Sequence, residues 1–276
     1  MQLMFNFFLK IYLLIFARQS FQKFNLLLYK LTIRSLGYNN FINDLVSGEL
    51  HFIKLLNRYD PKLCIDIGAN IGSYSSTLLE HTNAVVIAFE PLPRAYDALG
   101  KLKATYPARF IPINQGVGAE VGHLDLHFGS EVSVMASFSQ EINEIDYVSR
   151  NNTNSINVEV NTLDNFFKDF DPKFSEIDLI KIDTEGFEHE VLVGAANTLV
   201  KYRPKFIQIE FNHHQLFRSQ SIYSFSKILK NYKVFQMLPY HHGLVLRGPK
   251  LAEANIFQFS NFVFIREDIS LGPLSS

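Results

Sequence analysis

The chain changes rhythm near residue 60. Before that point apolar positions recur every three to four residues, and after it they gather into short continuous runs. In the opening stretch, MQLMFNFFLKIYLLIFARQSF, the residues Gln2, Asn6 and Lys10 stand four apart. On a helix they form one narrow polar stripe beside a broad apolar face. Lys10 interrupts this stretch well short of the ~18 apolar residues of a spanning helix. The early positive region and small-residue cleavage site of a signal peptide are missing too. The pattern therefore predicts an amphipathic helix that packs on the protein or a partner chain, or lies in a membrane interface. A second helical stretch runs from Phe21 to Ser35 and stops at LGYNN; a third runs from Phe41 to Arg58 and ends at YDP.

Beyond Arg58 the runs KLCIDIG, AVVIAFEP, ARFIPIN, IDLIKIDTEG and KFIQIEFN are rich in β-branched and aromatic residues. Several are too continuously apolar for a strand with one wet face, which suits strands buried on both faces of a parallel sheet. Helical patterns from Ser73 to His81 and from Pro93 to Thr105 separate the first three. Alternating strands and helices predict a doubly wound α/β fold. GHLDLHFG and INVEVNTLDNF add strands, the second followed by a helix starting at Thr162 or Asp164, and PYHHGLVL, with His241 and His242, reads as the turn of a late hairpin. Residues 129–154 are polar and irregular, a length of connection that often covers a site. Their Ser133, Ser137 and Ser139 are candidates to approach a ligand or to face solvent. With no internal repeat or Pro/Gly/Ser linker, the expected organisation is a helical extension over 1–58 and one domain over 59–276.

Composition narrows the function classes. Hydrophobic residues make up 47% and charged residues 19%, which is a globular balance. With 26 basic and 27 acidic residues, electrostatics give no reason to expect a nucleic-acid partner. The single cysteine, Cys64, excludes an internal disulfide and a multi-thiolate zinc site and is compatible with a reducing, cytoplasmic setting. Next to Ile65 it reads as core packing.

In open α/β sheets, ligands bind beyond the carboxyl ends of the strands, near the switch point of strand order. After LCIDI, Gly68 and Gly72 bracket Ala69, Asn70 and Ile71, and a helix begins at once. Such a turn permits close approach of a ligand or close helix packing. It is not the three-glycine turn of nicotinamide enzymes. Glu90 ends VVIAFE, 22 residues beyond Gly68, where a carboxylate can take a ribose diol or cap the next helix; Pro91 stops the strand. At the third strand end Asn114, Gln115 and Gly116 offer an uncrowded place for a purine edge.

Together DIGANIGSYS, AFEPLPRAYDAL, VNTLDNF, IDLIKIDTEGFEHEVLVGA and RPKFIQIEFN resemble, in order and separation, the FkbM family of S-adenosylmethionine-dependent methyltransferases, over about residues 60–212. The resemblance implies a class I methyltransferase fold: a Rossmann-like, seven-stranded, mostly parallel sheet whose last strand is antiparallel. It also implies methyl transfer to oxygen, with sugar or natural-product hydroxyls as acceptors. Carried onto this chain, it puts the cofactor against Asp66, the backbone from Gly68 to Gly72 with Asn70 near the methionine end, Glu90 and Pro91, and Gln115 and Gly116. The chain departs from the usual pattern at NQGVG, where an alanine-rich turn is common.

Transfer to a hydroxyl needs an oxygen in line with the methyl group and a group to take its proton. Asp183 and Glu185, two apart after the fourth parallel strand, are expected on one side, with Glu210 ending the next strand and His213 just beyond. The three carboxylates can act as acid or base, position the acceptor, or hold a divalent cation. Glu188 and Glu190 are expected on a solvated helix face. The expected partner is a small-molecule or glycan acceptor, with peripheral membrane contact through the first helix left open. A noncatalytic cofactor-binding or membrane-associated interaction module is the alternative.

Overall fold

A computed structural model describes residues 2–130, 135–170 and 173–272. Eleven strands are formed among them: β1 (Leu63–Ile67), β2 (Val85–Phe89), β3 (Phe110–Ile113), β4 (Gly116–Val117), β5 (Gly122–Phe128), β6 (Asn154–Asn161), β7 (Leu179–Ile182), β8 (Phe206–Phe211), β9 (Tyr232–Met237), β10 (Leu244–Arg247) and β11 (Ser260–Arg266). The main sheet has the order β10-β9-β11-β8-β7-β1-β2-β3. From β3 through β8 every pairing is parallel, whereas β11 inserts antiparallel between β8 and β9. The chain's last strand is thus antiparallel, as expected. The sheet has eight strands rather than seven, because the PYHHGLVL turn folds back and lays β10 along β9. A separate sheet, β4-β6-β5, is built from GV, GHLDLHF and NSINVEVN.

Both sheet faces are covered, which is why the central strands lack a polar alternation. Ile65, Ile67, Ile180, Ile182, Ile207 and Ile209 pack into one core layer, and Cys64, Val86, Leu179, Phe206 and Val263 into the other. Cys64 is fully buried there as a small apolar side chain. The helices Ser73–His81 and Pro93–Thr105 coincide with the expected spans. Of the N-terminal helices, Gln2–Phe16 buries nothing, Gln22–Ser35 buries only Ile33, and Glu49–Asn57 buries Phe52, Ile53, Leu55 and Leu56 in the second layer.

The second layer carries a polar row. Asp66, Lys181 and Gln208 are directly paired across β1, β7 and β8 and therefore lie side by side on one face. The row crosses the sheet one residue before the carboxyl ends of β1 and β7, between which the strand order reverses.

Candidate active site

A cavity of about 860 Å³ opens at this reversal, lined by the chain following β1, β2, β3 and β7, by β4, by Glu210 within β8, and by N-terminal residues from Phe41 to Ile53. Its size is within the ~300–1,000 Å³ usual for ligand sites. Of the residues singled out from sequence, Gly68, Asn70, Glu90, Pro91, Gln115, Gly116, Asp183, Glu185 and Glu210 line it. Asp66, Gly72 and His213 do not.

The glycine turn owes its composition to packing as well as to the cavity. Gly68 has φ +80°, and a Cβ there would stand 1.8 Å from the carbonyl oxygen of Asp183. Gly72, at φ +85°, faces Leu99 and Leu102 of the helix Pro93–Thr105. Four N–H groups of the turn are donated inside the protein. Gly68 and Ala69 donate to the Phe89 carbonyl, Gly72 donates to Ala69, and Asn70 donates to Glu90 Oε2 at 2.8 Å. The turn consequently contributes shape and a wall more than a set of donors aimed at a ligand.

Glu90 is 6% exposed. Its Oε1 accepts from Leu92 N at 2.8 Å, just before the helix Pro93–Thr105, so it staples the two turns while facing the cavity. Burial pushes its carboxyl up to about 7, although both backbone donors pull the other way. Beside it, Gly116 lies against the Phe138 ring, where a Cβ would come within 2.7 Å. Val117, Leu126, Ala136 and Phe138 give this end an apolar lining.

Asp66 is wholly buried beneath the cavity rather than exposed to a ligand. Its Oδ2 accepts from Ser75 Oγ at 2.7 Å, and Lys181 Nζ lies 3.7 Å from its Oδ1. Lys181 also donates to Asp183 Oδ2 at 2.8 Å and lies over the Tyr74 ring. Burial presses the Lys181 ammonium toward neutrality, but Asp183, Asp66 and Glu49 overcome this and hold it above its ordinary range. Glu49, from the N-terminal helix, accepts from Gln208 Nε2 at 2.8 Å, and burial raises its carboxyl. Tyr74 OH donates to the same glutamine's Oε1.

Asp183, Glu185 and Glu210 converge, with one oxygen of each within 4.8 Å of the others. They meet through a turn instead of by strand alternation: β7 ends at Ile182, and Glu185 is left-handed at φ 51°. The turn is tied down by Glu188, which is 1% exposed and accepts from Thr184 N, Thr184 Oγ1 and Gly186 N. Glu188 is thus internal, not on a solvated face, and Glu190 pairs with Arg218. Burial first, then Asp183 and Glu185, push the Glu210 carboxyl well above the usual range.

Of the two adjacent histidines, His214 reaches the cluster. Its Nδ1 lies 2.8 Å from Glu185 Oε2, without hydrogen-bond alignment. Its Nε2 is 2.8 Å from Tyr147 OH. His213 turns instead to Tyr147, and burial followed by His214 lowers it to about 4. Tyr147 belongs to the segment read as an irregular connection, which forms the helices Gln140–Asn143 and Asp146–Asn151. In that segment Ser137 Oγ donates to the Glu185 carbonyl at 2.7 Å and Ser139 caps the first helix, while Ser133 lies outside the described residues.

This lining fits an S-adenosylmethionine molecule by its donor chemistry. Each Glu90 oxygen retains an acceptor direction for a ribose diol, the Gly116–Phe138 end is apolar enough for a flat base, and the carboxylates of the same lining suit a positively charged sulfur.

Comparison with known proteins agrees. The family described as "Methyltransferase FkbM domain" matches residues 66–240. The 2-O-methyltransferase NoeI of Sinorhizobium fredii is 27% identical over 72% of this chain and 84% of its own length. The hexuronic acid methyltransferase AglP of Haloferax volcanii is 29% identical over 57% of this chain and 60% of its own. The plantazolicin methyltransferase BpumL, solved with SAH, aligns over 91% of this chain and 92% of its own at 12% identity and a TM-score of 0.41. From the family match over most of its length, joined to the cavity at the strand reversal, the chain belongs to the FkbM family of S-adenosylmethionine-dependent methyltransferases.

Proposed function

We propose that the protein O-methylates a hydroxyl of a sugar or glycan. The observation that carries this is the single cavity shared by Glu90 and the Asp183, Glu185 and Glu210 carboxylates. The names of NoeI and AglP, both sugar-directed or O-directed, support the acceptor class. The cofactor supplies an electrophilic methyl group. The hydroxyl that takes the methyl group would pass its proton to one of the cavity carboxylates. Asp183 is the suited acceptor, since it lines the cavity and is fixed in place by Lys181 at 2.8 Å. Glu185, steadied by His214 and Tyr147, and Glu210 orient the hydroxyl. A divalent cation held by the three carboxylates is the second reading, favoured by one oxygen of each lying within 4.8 Å of the others.

The test is transfer of labelled methyl from S-adenosylmethionine onto a panel of oligosaccharides containing hexoses and uronic acids, with mass spectrometry locating the methyl unit. Label on a carbohydrate oxygen, lost in Asp183→Asn, is the expected result. Cofactor binding with no labelled carbohydrate would overturn the assignment in favour of a binding module. Activity that disappears with a chelator and returns with magnesium selects the cation reading.

A further inference from the structure

The two N-terminal helices are unused by the reaction, and their surface is unusual. Residues 1–43 carry five basic side chains, Lys10, Arg18, Lys23, Lys30 and Arg34, and no acidic one, in a chain of 26 basic and 27 acidic residues. All five are exposed. So are large apolar side chains on both helices, among them Leu3, Phe5, Phe8, Leu14 and Leu27.

The pair is a built corner rather than a loose tail. Its arms, Gln2–Phe16 and Gln19–Ser35, meet at 97°. Tyr12 OH donates to Asn25 Oδ1 at 2.6 Å, Asn25 Nδ2 donates to the Phe16 carbonyl at 2.8 Å, and the Phe16 ring packs on Phe21 and Phe24. The second arm is fastened to the body by buried Ile33 and by Asn40 Nδ2 donating to the Arg34 carbonyl.

Neither arm alone is long and apolar enough to cross a bilayer. Fifteen residues of helix reach only ~22 Å against a hydrocarbon core of ~30 Å. A broad apolar face beside cations alone suits the interface of an anionic bilayer, where acyl chains take the one and headgroups the other. A second copy of the chain would bring five like charges against five. Directly after the corner, Phe41 and Ile42 are 62% and 65% exposed and form part of the cavity rim.

We propose that this helix pair is a docking corner that seats the protein on an anionic lipid surface, with the cavity rim at Phe41 and Ile42 next to that surface. Docking is separate from the methyl transfer and stands or falls without it.

The test is flotation of the full-length protein with phosphatidylcholine vesicles and with vesicles that also contain phosphatidylglycerol. Binding to the mixed vesicles, weakened by salt and weak on phosphatidylcholine alone, is expected. Near-surface cations contribute about fivefold each, so neutralising three of them, Lys10→Gln, Lys23→Gln and Lys30→Gln, should lower partitioning about 100-fold. Phe5→Ser with Phe8→Ser should also release the protein, and since both rings are exposed, melting temperature and cofactor affinity should hold in each variant. Equal binding to both vesicle types, binding to neither, or self-association through the helices without lipid binding would overturn the proposal.

Discussion

Removing the Glu90 carboxylate separates a cofactor contact from a structural staple. Each oxygen accepts one backbone N–H at 2.8 Å, from Asn70 and from Leu92. A carboxylate oxygen has two acceptor directions, so one on each remains for vicinal ribose hydroxyls. Hydrogen bonds to a charged group contribute about 1.5–3 kcal/mol each, so losing two weakens cofactor binding by about 100-fold or more in Glu90→Ala. The same change leaves the two N–H groups without an acceptor, at about 1–3 kcal/mol of folding stability apiece. A staple alone predicts only the second loss. Calorimetry with S-adenosylhomocysteine and with an analogue lacking both ribose hydroxyls, on wild type and Glu90→Ala, isolates the first. The expected result is a large loss for the natural ligand and little for the analogue. An equal loss for both, or no loss for either, refutes the diol contact. Because burial raises the Glu90 carboxyl to about 7, cofactor affinity should climb as pH rises through that value and the carboxylate forms. Glu90→Gln should flatten the climb. The stability sign is opposite. With the folded-state value above the ordinary carboxylate range, Glu90's favourable contribution is complete at acid pH and is lost as pH rises through about 7.

Lys181→Met should cost about 3–5 kcal/mol in urea unfolding, because it strips the counter-charge from buried Asp66 and from Asp183. A loss below about 1 kcal/mol would mean that the carboxylates simply take up protons. Gly68→Ala should destabilise by about 4 kcal/mol or prevent folding, since its Cβ meets the Asp183 carbonyl at 1.8 Å, whereas Gly100→Ala, in open space on a helix, should raise the melting temperature. His214→Gln should lower turnover about 100-fold with cofactor affinity unchanged, and His213→Gln should do little; equal effects in steady-state kinetics would refute the distinction drawn from the His214–Glu185 contact.

The parts of this architecture that are local in sequence could be read from it. Continuous runs such as LCIDI and VVIAF mark strands covered on both faces, and the helices Ser73–His81 and Pro93–Thr105 have their boundaries set by neighbouring glycine and proline. Glu90 and Asp183 follow from position alone, as acids just past strands that end at one edge. Lys181 does carry a signal in the sequence: a lysine inside the apolar run IDLIKID has to find carboxylates or leave the core. His214 could not be told from His213, since one residue of helical rotation decides which ring faces Glu185. Tyr147 and Glu49 left no signal, because each arrives from a distant segment and its role exists only once the sheet is assembled. The β9–β10 hairpin turn was legible, but not that β10 would extend the sheet to eight strands, which depends on the free edge of β9.

The charge balance of the cavity ties these pieces to the chemistry. Among the described residues lining it, Lys181 is the sole lysine or arginine, set against Asp44, Glu49, Glu90, Asp183, Glu185 and Glu210. Such a surplus is costly to bury, and the fold limits the cost by raising the pKa of Glu49, Glu90 and Glu210 so that they hold protons more readily. A sulfonium entering the cavity brings the missing positive charge and is favoured by whichever carboxylates remain ionised. A neutral sulfur, as in the demethylated product, would feel no such attraction. The same acids that draw the donor in therefore place no electrostatic hold on the spent sulfur, and Lys181, itself in the cavity lining, sets one positive charge against Asp66 and Asp183.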